Sequence, residues 1–153
     1  MIKFNYTTTN VKALMKIAKN AKYFNWMVTD DAYIVLSSTC LLFFEKDPSL
    51  FNLLKDITPA KLDARNVEVV KKIEQHELIR IHYSDFEKGE IPELIRYKYE
   101  GREYYFNHSL FLPCIKAKRS GYEFGIYTYE HIHGVNIYDP EGNYCGLILG
   151  MKV

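Results

Sequence analysis

The chain predicts a single α+β domain built from antiparallel sheets, and three observations carry that prediction. Short apolar and aromatic runs with period-two alternation recur along it, bounded by Asp, Asn, Gly and Pro turn clusters. One stretch near the start switches to helical spacing. The order strand, helix, three strands occurs twice, once at each end. At 153 residues, 48% hydrophobic and 25% charged, the chain is long enough to bury a core of its own. Aromatic residues reach 15%, with 13 tyrosines, which suits half-buried strands.

The first element is a strand over 2–7, with Ile2, Phe4 and Tyr6 on one face. Thr8-Thr9-Asn10 supplies an N-cap for a helix over about 11–22. Val11, Leu14, Ile17, Ala18 and Ala21 fall on one side of that helix and form its buried face. Strands follow over 24–29, 32–38 and 40–44, with Asp30-Asp31 turning the chain and Lys46-Asp47-Pro48 closing the run. The far end repeats this order. A strand over 103–106 leads into Asn107-His108-Ser109 at a capping position. A helical stretch with Leu110, Phe111, Leu112, Cys114 and Ile115 ends in Lys116, Lys118 and Arg119, and Ser120-Gly121 stops it. Strands over 122–129, 135–138 and 144–151 complete the unit, the last two joined through Asp139-Pro140-Glu141-Gly142-Asn143. One domain, 1–153, thus holds two βαβββ half-units at about 1–46 and 103–153. The middle, 47–102, has a short helix over 48–55 and an amphipathic helix over 66–75. Alternating strands over 78–83 and 94–99 flank an acidic loop there.

A net charge of +1 excludes a uniformly basic nucleic-acid binder, but the distribution is uneven. Residues 1–29 carry five lysines and no acid, 30–100 ten cations against fourteen acids, and 101–153 five of each. Lys12, Lys16, Lys19 and Lys22 are spaced i, i+4, i+7 and i+10, one stripe of the helix opposite its apolar side. A solvated helix usually alternates sign. Four lysines without a glutamate suit phosphate contacts, because lysine is a mobile point charge that reads no bases. The plainer alternative is a solvated face whose lysine stems cover apolar surface. Lys116, Lys118 and Arg119 make a second basic patch, although cations at a helix C-terminus also complement its dipole.

No catalytic set is visible. Cys40, Cys114 and Cys145 are widely spaced and odd in number, which implies buried free thiols rather than a zinc or disulfide framework. His131-Ile132-His133 has a spacing metals use, but a third ligand is not evident, so no metal or cofactor is assigned. Asp30-Asp31, Asp85, Glu87 and Glu90 sit in turn contexts, and phosphate-loop, nucleophile-elbow and zincin motifs do not occur. Tyr97, Tyr99, Tyr104, Tyr105, Tyr122, Tyr127 and Tyr129 suit base stacking or a protein interface, or else half-buried sheet faces. No apolar run approaches the ~20 residues of a membrane helix, and no apolar leader opens the chain, so a cytoplasmic location without membrane contact is expected.

Three stretches carry a family resemblance. Trp26-Met27-Val28-Thr29-Asp30-Asp31-Ala32-Tyr33-Ile34-Val35 is similar to the strand–turn–strand of bacterial DNA sliding clamps, matching at Thr29-Asp30. The closing Leu149-Gly150-Met151-Lys152-Val153 resembles the Met-Pro-Met-Arg-hydrophobe end of their terminal strand. Phe106-Asn107 leading directly into a helix is also clamp-like. The resemblance covers about 1–46 and 103–153 and implies strands outside and helices toward duplex DNA. It further implies a non-catalytic processivity module that contacts phosphates through Lys12, Lys16, Lys19, Lys22, Lys116, Lys118 and Arg119. Clamp subunits of bacteria hold three such domains and this chain has room for one. Encirclement therefore implies self-association of a single-domain relative, of the kind a phage or mobile element carries. The competing expectation is a protein–protein interaction or regulatory module of the same fold without DNA binding.

Overall fold

The computed structural model describes residues 11–22, 24–28, 32–44, 46, 48–57, 72, 75–115, 121–129 and 131–151. Among them the chain is α+β, with two α-helices and two antiparallel sheets. No helix among the described residues is long and apolar enough to cross a membrane.

Helix α1 spans Val11–Asn20 and buries Leu14 and Ile17, one turn apart, while Lys12, Met15, Lys16 and Lys19 face out. The Ala21 amide still donates to the Ile17 carbonyl at 3.0 Å, closing the last turn. The helix is two residues shorter than its charge pattern suggests. Strand β1 begins at Phe24, and reversing the chain takes the intervening residues, so Lys22 lies in a bend beyond the helix.

Strands β1 (Phe24–Val28), β2 (Tyr33–Ser37) and β3 (Cys40–Phe44) form a meander. Helix α2 (Pro48–Ile57) follows and buries Leu50 and Leu54. Strand β4 is Glu77–His82; β5 (Glu87–Lys88), β6 (Leu94–Tyr99) and β7 (Arg102–Asn107) make the three-stranded sheet. Strands β8 (Glu123–Tyr129), β9 (Ile132–Tyr138) and β10 (Tyr144–Leu149) form a second meander. The large sheet runs β1-β2-β3-β10-β9-β8-β4. The final strands of the two meanders therefore lie side by side, paired at Gly146–Leu42, Leu147–Leu41 and Ile148–Cys40.

Both faces of this sheet are buried, which explains why β3 reads as an unbroken apolar run rather than an alternating one. Its Cys40, Leu42 and Phe44 join the core under α1, α2 and the three-stranded sheet, with Trp26, Phe106, Phe111 and Phe124. Leu41 and Phe43 join the opposite cluster with Met27, Ile34, Tyr127, Tyr138 and Tyr144. On that second face Glu77 pins β4 across the sheet. Its Oε1 accepts from Asn136 Nδ2 at 3.0 Å and from the Tyr138 hydroxyl at 2.5 Å, while Tyr144 donates to Asn136 Oδ1 at 2.8 Å. The Arg80 guanidinium caps the Tyr138 ring at 3.9 Å. Asn136 is fully buried and tolerated there because both ends of its amide are bonded.

Tyr127 is the exception. It is buried over Gly134, its hydroxyl has no hydrogen-bond partner among the described residues, and burial pushes its phenol well above the usual value. An orphaned buried hydroxyl costs about 1–3 kcal/mol of desolvation. Tyr127→Phe is therefore expected to raise stability by about 1 kcal/mol in urea denaturation; a loss of that size instead would reveal a bonded hydroxyl.

Two expected elements differ. The stretch after Asn107 is not an α-helix among the described residues but a 3₁₀ turn, His108–Leu110, followed by turns to Cys114. Leu110, Phe111, Pro113, Cys114 and Ile115 are all buried, so this segment has no solvent face of the kind an amphipathic helix needs, and Pro113 lacks an N–H to continue one. The strand at 102–107 belongs to the small sheet, paired with β6, and β4 takes the place beside β8. A two-residue hairpin at Glu100 and Gly101, both with positive φ (50° and 78°), closes β6 on β7 locally, and a short local closure wins over a distant partner. The expected strand over 2–7, the Thr8-Thr9-Asn10 cap of the first helix, the Asp30-Asp31 turn and most of the helix over 66–75 lie outside the described residues.

Candidate functional site

The lysine stripe is held by the burial of the opposite helix face. At 3.6 residues per turn, Lys12, Lys16 and Lys19 occupy an arc of about 60° and a rise of about 10 Å. All three are exposed, as is Lys22 beyond the helix end. None of the four side chains forms an ion pair or hydrogen bond with another described residue, and the first turn of α1 holds no acid. Three cations of the strands behave differently. Arg96 pairs with Glu87 at 3.1 Å, Lys98 with Glu103 at 3.6 Å and Arg80 with Glu77 at 3.4 Å. The Tyr105 hydroxyl donates to Glu103, and this bond, with Lys98 and Arg96 nearby, holds the Glu103 carboxyl below its ordinary range. The outer face of the small sheet thus pairs its charges internally, whereas the α1 lysines have no acidic partner among the described residues.

A groove of about 410 Å³ runs beside the stripe and shares Lys16 with it. Its floor is apolar, from Ile17, Leu110, Leu112 and Leu149, and its rim is polar, from Ser38, Thr39, Asn107 and Ser109. Two local locks shape that rim. Ser37 Oγ accepts from the Thr39 and Cys40 amides, both at 3.1 Å, which fixes the β2–β3 turn. Asn107 Oδ1 accepts from the Ser109 amide at 3.0 Å and its hydroxyl at 2.6 Å, which caps the 3₁₀ turn. A shallower hollow lies between Met15, Ala18 and Lys19 of α1 and Ile57 of α2.

Comparison with protein families, with curated proteins and with solved structures finds no match.

The remaining candidates separate on geometry. Lys116, Lys118 and Arg119, the second basic patch, lie outside the described residues. His131 is exposed in a turn while His133 is half-buried in β9, and no group of three His, Cys, Asp or Glu side chains among the described residues is arranged to hold a metal. Asp85 accepts from the His82 amide at 2.8 Å and Glu87 pairs with Arg96, so both serve local structure. Cys40, Cys114 and Cys145 are buried free thiols, and burial pushes Cys40 and Cys114 above the usual thiol range, away from reactive thiolates. Of the tyrosines whose burial is described, Tyr104, Tyr122 and Tyr127 are buried, and Tyr97, Tyr99 and Tyr105 are half-buried, as strand faces require. The groove escaped the sequence reading because its walls come from four distant segments.

Proposed function

We propose that this chain is a non-catalytic DNA-associated module of sliding-clamp type that contacts duplex phosphates through α1. The observation that carries the reading is the stripe of Lys12, Lys16 and Lys19 on one helix face, with no acidic partner among the described residues, whereas Arg80, Arg96 and Lys98 each pair with an acid. Flexible, exposed ammonium groups at this spacing suit a phosphate backbone and carry no base readout. The paired meanders, with their last strands side by side, lend support to a duplicated clamp-like plan. A chain with one such domain encircles DNA only by assembling with further copies.

Duplex affinity measured across salt tests this. Three neutralised phosphates give a slope of about −2.7 in log K against log salt, so affinity falls roughly 40-fold between about 50 and 200 mM. A flat salt profile removes the phosphate contact from consideration. Light scattering on the same samples reads assembly, and a strict monomer at high concentration excludes a ring. The groove beside Lys16 favours one second reading, an interaction module that seats an apolar side chain of a protein partner.

A further inference from the structure

We propose that His133 is a pH-sensitive clasp between the two sheets, closed when its imidazole is neutral, and that it sets the width of the groove beside α1. The two sheets meet at one point in ladder terms: the Tyr105–Met151 bridge is the single strand pairing between them among the described residues. There the Met151 amide donates to the Tyr105 carbonyl and the Gly150 amide to the His133 carbonyl, both at 2.8 Å. The His133 ring sits in this junction. Its Nε2 lies 3.4 Å from the same Tyr105 carbonyl, and its centroid lies 5.4 Å from Tyr104 and 5.6 Å from Phe106, steeply inclined to both rings. On its other side it rests on Gly150, where a Cβ would collide with the ring. One imidazole therefore touches β7 and the end of β10 from its place on β9.

What faces the ring decides its response to a proton. From β7 come the Tyr104 phenol ring, the Tyr105 carbonyl and the Phe106 ring, and from the chain after β10 comes Gly150. Among the described residues Tyr104 is the only titratable side chain in ring contact with it, and no carboxylate or ammonium bonds to it. A new positive charge would gain one carbonyl and no counter-ion, in a half-buried site. Desolvation accordingly lowers the His133 pKa below its ordinary value, outweighing the Tyr105 carbonyl, which raises it. With the folded value depressed, the junction keeps its full stability above the unfolded value of about 6.5 and loses it as pH falls toward the folded one. Gly150 and Met151, both held in this junction, and Asn107, next to Phe106, line the groove. Loosening the clasp lets those walls part. The device acts in the free protein and stands whether or not the stripe binds DNA.

Amide hydrogen exchange, corrected for intrinsic rates, tests it together with the ring titration followed by NMR. From about pH 7.5 to about pH 5, protection of the Gly150 and Met151 amides is expected to fall at least about threefold relative to the interior β8–β9 ladder. His133→Gln, neutral throughout, is expected to hold that protection constant, and the His133 ring is expected to titrate below its ordinary value. A ring midpoint at or above about 6.5 overturns the clasp. So does protection that persists to acid pH, or a glutamine chain that loses it equally. Should the glutamine chain not fold, the titration and the exchange in the unsubstituted chain still decide.

Discussion

Replacing Gly146 by alanine is expected to lower stability by about 3 kcal/mol or more, the largest single-residue loss foreseen here. Gly146 lies in β10 at a bulge, with φ at 150°, directly across from Leu42 of β3. A Cβ at that position would collide with the Leu41 carbonyl oxygen and come within 3.0 Å of the Leu42 Cα. Both obstacles are backbone in the middle of a seven-stranded sheet, so no rotamer change relieves them. Thermal unfolding should register a fall of about 6–12 °C for a chain of this size. Gly142→Ala is the matched comparison: it shares a positive φ, 82°, but nothing lies within 4 Å, so backbone strain of about 1 kcal/mol is all it should cost. Equal losses at the two glycines would show that the close approach of β3 and β10 is not what demands Gly146.

The second large effect concerns binding. Changing Lys12, Lys16 and Lys19 together to glutamate is expected to reduce duplex affinity several hundred-fold at about 0.1 M salt, because each lost phosphate contact forfeits about 0.9 log unit of counterion release there. The three side chains are exposed and unpaired among the described residues, so circular dichroism and the melting temperature should stay close to the parent's. Undiminished binding by the folded triple variant would end the stripe's role in DNA contact. Lys22→Glu alone, beyond the end of the helix, should have a smaller effect.

How far the sequence reached depended on whether the signal was local. Strand β3 and strand β6 lie at the bounds their patterns indicate, 40–44 and 94–99, because an apolar run or strict alternation is settled within five or six residues. The stripe on α1 was legible for the same reason, since a helical period alone aligns Lys12, Lys16 and Lys19, although it also included Lys22, which lies beyond the helix end. The segment after Asn107 misled because its apolar residues were read as a helical stretch, whereas most of them are buried in a 3₁₀ turn and the turns that follow it. Strand β7 was placed correctly along the chain but joins the other sheet, since alternation shows which side is buried and not which neighbour pairs. Glu77 gave no warning at all. An acid at the head of a strand reads as solvent-facing until Asn136 and Tyr138, some sixty residues away, fold over to meet it.

The pairing of β3 with β10 also sets a problem for the ribosome. Strand β3 is finished early, yet its partner β10 lies roughly one hundred residues further along. At about 5–20 residues per second, its Cys-Leu-Leu-Phe-Phe edge waits on the order of 5–20 s for the strand that covers it. During that interval the nascent first meander presents a short, uncharged, aromatic edge, the kind of template on which chains aggregate. Slowing synthesis between Phe44 and Tyr144, or withdrawing the chaperones that shield nascent chains, should therefore lower the yield of soluble protein more than destabilising either helix.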